Sequence, residues 1–437
     1  MSVTLFFNRY ASKGLILRSG AVLHVILVVV LGAFFSAVGA DSFALAQSSE
    51  NTAGDALPLV TGARVAGDGE RTRFILDMDE QVDFTISGLA NPDRLILDLP
   101  EVVFDFKDDV IGDGRGLISA WRYGLFAPGK SRIVLDVSNP IAVDRTFFLP
   151  SVDGQPSRLV IDLVQTSRKE FNEYAKLSRE KLVKNQAAPK GDRLNKDTAD
   201  TRPVIVIDPG HGGLDTGAEG VNGTPEKVIV LDVAKLLKES LEREGRYKVY
   251  LTREDDTFVS LRRRVELGHD WDADLFISIH ADSVKSSRDK VRGATVYTLS
   301  ETASDDLAQA LAETENMSDI IAGVELEAET TEVTDILIDL ARRETRNFSS
   351  HFARTLVAEL KSAVKLIKNP LRSASFIVLK SHDVPSVLLE LGYLSNEFDE
   401  KLLVSDDWRE RMVVAITEAI DGFFRPRILK DEANAVQ

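Results

Sequence analysis

The chain has 437 residues, 44% of them hydrophobic and 28% charged, with a formal charge of -16. That size and apolar content predict two folded domains plus tails, and the negative charge argues against a nucleic-acid partner, which needs a basic face. There is no cysteine, so disulfides, thiol catalysis and thiolate-bound zinc are excluded, and any metal site must use histidines and carboxylates.

Residues 1–46 read as an export signal. Arg9, Lys13 and Arg18 precede the apolar run Ala21–Leu31, and small-residue cleavage patterns follow at Val38-Gly39-Ala40 and Ala44-Leu45-Ala46. The long basic stretch keeps an uncleaved membrane anchor as the competing expectation. Either way the bulk of the protein is expected outside the cytoplasm, in the periplasm.

Residues 58–166 carry short β-branched runs broken by Gly, Pro and Asp, and predict a small all-β domain. Two segments echo each other. Arg73-Phe74-Ile75-Leu76-Asp77 recurs as Arg132-Ile133-Val134-Leu135-Asp136, and Arg94-Leu95-Ile96-Leu97-Asp98-Leu99 as Arg158-Leu159-Val160-Ile161-Asp162-Leu163. Two copies of one strand set predict two sheets packed face to face. Residues 167–201 turn charged and predict a linker with a short helix at its start.

From 202 to 426 apolar strands alternate with amphipathic helices, leaving 427–437 as a tail. Strands are expected at Val204–Ile207, Lys248–Leu251, Leu275–Ile279, Thr295–Leu299, Phe376–Leu379 and Val387–Leu389. Helices are expected at Glu226–Glu242, Leu261–His269, Asp335–Lys361 and Asp407–Phe424. The fold class is α/β, a mostly parallel twisted sheet flanked by helices, with functional groups at the strands' carboxyl ends.

Three motifs fall at such ends: Ile207-Asp208-Pro209-Gly210-His211-Gly212-Gly213, Ile277-Ser278-Ile279-His280-Ala281-Asp282 and Leu388-Leu389-Glu390-Leu391-Gly392-Tyr393. Glu226 follows Thr224 and Pro225, read as an N-cap and a first-turn proline, and projects from the first turn of a helix. Taken alone, it equally suits the helix dipole. Together His211, Glu226 and His280 supply three corners of a one-zinc tetrahedron, with the fourth left for water. Glu390, costly to bury in an apolar strand, is the candidate general base and acid; an arginine salt bridge is the plainer explanation. His24, His269, His351 and His382 are read as outside the site, and Arg253, Arg262 and Arg264 as surface ion pairs.

These motifs, in this order over Pro203–Arg425, resemble the zinc-dependent N-acetylmuramoyl-L-alanine amidases that split septal peptidoglycan in Gram-negative bacteria. The resemblance implies zinc ligation by His211, Glu226 and His280, catalysis by Glu390, and cleavage between N-acetylmuramic acid and L-alanine of the stem peptide. The β-rich region resembles that family's cell-wall-targeting AMIN domain. The acidic segment Glu301–Thr334 contains an amphipathic stretch, Asp305–Ile321, with Leu307, Ala308, Leu311 and Ala312 on one face. Septal amidases are similar in placing an inhibitory helix here, one glutamate reaching zinc until a divisome activator withdraws it. On this chain Glu313 is the first candidate and Glu315 the second. A wall zinc endopeptidase and a non-catalytic wall-binding protein remain the alternatives.

Overall fold

The computed structural model describes residues 57–106, 111–152, 154–185, 200–243, 245–284, 290–324 and 336–435. The expected export signal and the insertion's later part lie outside them, and no helix among the described residues is long and apolar enough to cross a membrane.

The described residues of the β-rich region form ten strands: β1 (Leu59–Gly67), β2 (Arg71–Met78), β3 (Thr85–Leu89), β4 (Arg94–Pro100), β5 (Val103–Phe104), β6 (Ile111–Arg115), β7 (Ile118–Ala127), β8 (Lys130–Val137), β9 (Ile141–Leu149) and β10 (Ser157–Gln165). They make two five-stranded sheets, ordered β5-β1-β2-β10-β9 and β3-β4-β8-β7-β6. The sequence echo is the reason. In each sheet the two echoing strands pair antiparallel, β2 with β10 and β4 with β8. The two-residue period turns Phe74, Leu76, Leu159 and Ile161 inward against Leu95, Leu97, Ile133 and Leu135, all fully buried.

The expected linker does not begin at 167. Helix α1 (Arg168–Asn185) packs on the β domain. Phe171 is wholly buried in that core, Tyr174 donates to Ile86 O at 3.2 Å, and Gly88 N donates to Ser178 Oγ at 3.2 Å. Phe171, Tyr174 and Ala175 recur at helical spacing and supply the apolar face that a charged composition conceals.

The second domain runs β11 (Val204–Pro209), α2 (Glu226–Glu242), β12 (Lys248–Leu251), α3 (Leu261–Asp270), β13 (Leu275–His280), β14 (Ala294–Leu299), α4 (Asp306–Glu315), α5 (Ser318–Ile321), α6 (Ile336–Ala363), β15 (Leu366–Ala374), β16 (Ser386–Glu390), α7 (Glu397–Leu403) and α8 (Asp406–Ala435). The sheet order is β12-β11-β13-β16-β14-β15. β12, β11, β13 and β16 are parallel, and the β14–β15 pair runs against them. Alternate strand residues face opposite layers. Ile205, Ile207, Ile277 and Leu389 pack under α2, α6 and α8, while Val206, Phe276 and Leu388 pack with residues of α3 and α4.

Three expectations are corrected. Phe376–Leu379 is no strand; Ile377–Leu379 is a 3-10 turn. The sixth strand is β15, whose Pro370 lacks a ladder donor and is tolerated because β15 is an edge. The expected tail continues α8 to Ala435.

Candidate metal centre

The strands' register brings the three motifs together. β11, β13 and β16 are neighbours at the middle of the sheet, with Pro209 opposite Ile279 and His280 opposite Glu390. The chain leaving β11 places His211 beside them in a left-handed conformation, φ 59°, a costly choice for a residue with a Cβ. Arg264 secures that turn, donating to His211 O at 2.7 Å, to Pro209 O at 2.9 Å and to Asp208 at 2.6 Å. Arg253 adds bonds to Pro209 O at 3.0 Å and Gly210 O at 2.8 Å. Both arginines are buried, so the surface expectation holds only for Arg262, exposed and paired with Glu266. Gly210 has to be glycine, because a Cβ there would come within 2.4 Å of the His280 ring.

Glu226 is the first residue of α2, with Pro225 as an N-cap that makes no side-chain bond; Thr224 is not the cap. Its Oε1 lies 3.1 Å from His211 Nε2 and 3.3 Å from His280 Nδ1. A further carboxylate arrives from the insertion. Glu315 Oε2 is 3.0 Å from His280 Nδ1 and 3.7 Å from His211 Nε2. Glu313, the first candidate, is exposed and accepts a bond from Gln309 at 2.7 Å. Helical spacing decides between the two: Ala308, Leu311 and Ala312 are buried, and Glu315 stands three and four residues beyond the last pair, on the same face.

His211 Nε2 and His280 Nδ1 are buried and make no hydrogen bond, although carboxylate oxygens stand beside them. That arrangement suits ligands around a shared cation, and a tetrahedral shell with ~2.0–2.1 Å bonds has edges of about 3.3–3.4 Å. The other imidazole nitrogens are tied down as metal-bound histidines require. His211 Nδ1 is 2.9 Å from Asp215, and His280 Nε2 is 3.1 Å from Ser278 Oγ, which donates to Asp208 at 2.7 Å. Glu226 accepts from Ala218 N at 2.8 Å and Ala281 N at 2.7 Å.

The site is strongly anionic. Burial opposes charge on His280, but Glu315 and Glu226 outweigh it and push the imidazole up to about 10. His211 is also raised against its burial, by Asp215, Glu226 and Glu315. Those carboxylates demand positive charge, which a divalent ion supplies as well as protons do. Glu390 Oε2 accepts from Asp282 N at 2.9 Å, and its buried Oε1 is unbonded. Burial first, then Glu226 and Glu315 against the opposing His280, push this carboxyl up to about 8. Its hydrogen-bond donor is a backbone amide, and among the described residues no arginine pairs with it.

Sequence reasoning passed over Asp208, Asp215 and Ser278. A readable signal was their place inside or just beyond the histidine motifs, where a ligand's second nitrogen needs an acceptor. His269 and His382 do meet, with Asp383, in a second and more exposed cluster.

The family described as N-acetylmuramoyl-L-alanine amidase matches residues 205–422, and the AMIN domain matches residues 62–163. The chain is 32% identical to the N-acetylmuramoyl-L-alanine amidase AmiC of Escherichia coli O6:H1 over 84% of this chain and 90% of that one. It is 32% identical to AmiC of Neisseria meningitidis serogroup B, over 85% and 92%. Against AmiA of Escherichia coli K12 the identity is 37%, over 55% of this chain and 86% of AmiA. On two-domain similarity across nearly the whole of those relatives, this chain belongs to the N-acetylmuramoyl-L-alanine amidases, enzymes that hydrolyse the cell wall.

Proposed function

We propose that this amidase is an exported, zinc-dependent enzyme of septal wall splitting, held inactive by Glu315 until a partner protein withdraws α4. The observation that carries the reading is the set of four ligand-type atoms, His211 Nε2, His280 Nδ1, Glu226 Oε1 and Glu315 Oε2, with histidine-to-carboxylate separations of 3.0–3.7 Å. Bound among them, zinc would supply Lewis-acid activation of the scissile carbonyl and of water at neutral pH. His211, Glu226 and His280 would be its permanent ligands, and Glu315 would take the position that water needs.

Glu390 is the proton carrier. A carboxyl raised to about 8 by burial is matched to proton transfer near neutrality, taking the proton from water and passing it to the departing L-alanine nitrogen. Asp215 and Ser278 hold the imidazole tautomers, and Arg253 and Arg264 hold the turn that carries His211. The AMIN domain supplies attachment to the wall, and a periplasmic setting follows from the substrate.

The test pairs metal analysis with product analysis. Purified full-length protein should contain one zinc per chain, and Glu315→Gln should digest purified sacculi faster than the parent. Mass spectrometry should find intact stem peptides freed from glycan. Peptides cut internally would favour an endopeptidase, and an unaccelerated Glu315→Gln variant with full zinc would remove the plug.

A further inference from the structure

The insertion is anchored at two points, at Glu315 and at the turn that follows α5, and the second is gripped by the β domain. Beyond Glu315 the chain turns through Asn316 and Met317 into the short α5 and stops at Gly323, with φ 69°. Three arginines of the β4-β8-β7 face donate to successive carbonyls at this stop. Arg94 bonds Ile320 O and Arg122 bonds Ile321 O. Arg132 bonds Ala322 O at 3.3 Å and Gly323 O at 3.2 Å. Carbonyls at a helix end lack intrahelical donors and carry partial negative charge, so cationic donors are their natural partners. All three arginines are buried. A Cβ on Gly323 would come within 2.5 Å of Ile96 Cδ1 and 3.1 Å of Val134 Cγ2, so this residue sits directly on the sheet.

The other sheet is the internal control. It carries the same arginine–aspartate pattern, with Arg73 to Asp162 at 2.6 Å matching Arg132 to Asp98 at 2.6 Å. Asp77 takes both Arg158 and Arg64, whereas Asp136 takes Arg122 and Arg94 turns to the insertion. The Arg73 side chain is 46% exposed, against 4% for Arg132. One copy of the repeat faces solvent, and its twin is covered by the insertion.

The same short run reaches the ligand shell. Ser318 Oγ donates to Asp215, which also holds His211, and Asp319 accepts from Leu261 N at 2.8 Å. We propose that the Arg94/Arg122/Arg132 face of the AMIN domain is a receptor for the turn that follows α5 in the inhibitory insertion, so that this domain latches Glu315 in place besides attaching to the wall. The proposal rests on Glu315 being the inhibitory group. Withdrawal of the plug then requires both anchor points to let go.

The experiment uses full-length protein and four variants: Arg94→Gln, Gly323→Ala, Glu315→Gln and, on the exposed twin face, Arg73→Gln. Hydrogen exchange of residues 306–323 and sacculus digestion without any partner protein are read together. Arg94→Gln and Gly323→Ala should each speed exchange in that segment and raise digestion about 5-fold or more, with zinc content and exchange of the β core unchanged, while Arg73→Gln changes neither. If Glu315→Gln activates but the two latch variants leave exchange and digestion at parent levels, the latch is refuted and the plug stands. If Arg73→Gln acts as strongly as Arg94→Gln, the effect is general loosening of the β domain and the latch is refuted. If Glu315→Gln itself fails to activate, the plug falls and the latch with it.

Discussion

Among the described residues two clusters of histidine and carboxylate form, and they differ in what surrounds them. His211, Glu226 and His280 are nearly inaccessible, their side chains 5%, 0% and 5% exposed. His269, His382 and Asp383 meet with side chains 31%, 47% and 48% exposed. In the buried cluster each imidazole's second nitrogen has a fixed acceptor, and the facing nitrogens are left without hydrogen bonds. In the exposed one, His269 Nδ1 already faces Asp383 at 3.1 Å, and water can solvate the rest. Ligand types in proximity are common; burial with a supporting shell gives a site its demand for a cation.

The largest effect is expected at the ligands of the buried cluster. His280→Ala, or prolonged chelation of the parent, should remove the bound zinc and abolish sacculus digestion, and digestion that survived without metal would dissolve the distinction. Next in size, Glu390→Gln should keep one zinc per chain while lowering digestion ~10²–10⁴-fold, the usual worth of a proton carrier. Glu315→Gln should move activity the other way, upward by about 5–150-fold, the range of ordinary regulatory coupling. Ser278→Ala leaves every ligand in place but frees the His280 ring, and zinc affinity measured by competition with a chromogenic chelator should weaken ~10–100-fold. Smallest of all, the double change His269→Ala with His382→Ala should leave zinc content and digestion unaltered and shift stability within about 0.5 kcal/mol in denaturant titration. A second zinc in the parent that disappears in this variant would show that exposure did not prevent ligation.

Much of the site was legible because strand-end chemistry is local. A buried strand that stops at Asp208-Pro209-Gly210-His211, and another that stops at Ser278-Ile279-His280, predict where the functional end of a parallel sheet lies, and the register of β11, β13 and β16 joins them there. Glu315 was also within reach of helical spacing, since Ala308, Leu311 and Ala312 define the buried face on which it falls; choosing Glu313 overlooked that period. β15 was missed because an edge strand tolerates Pro370 and polar residues that an interior strand does not. A short helix after 167 was expected, but the packing of α1 on the β domain was obscured by charge on its exposed side.

The two-domain order, the repeated strand pairs, the candidate ligand set and the candidate proton carrier Glu390 were readable from sequence, because each follows from a period or motif within a few dozen residues. Only the tertiary structure decided that Arg253 and Arg264 are buried behind the His211 turn, and that Arg94 meets Ile320, 226 positions away. The physical reason is common to both. An arginine reads alike whether it faces water or a row of backbone carbonyls, and which one it meets is settled when the domains pack.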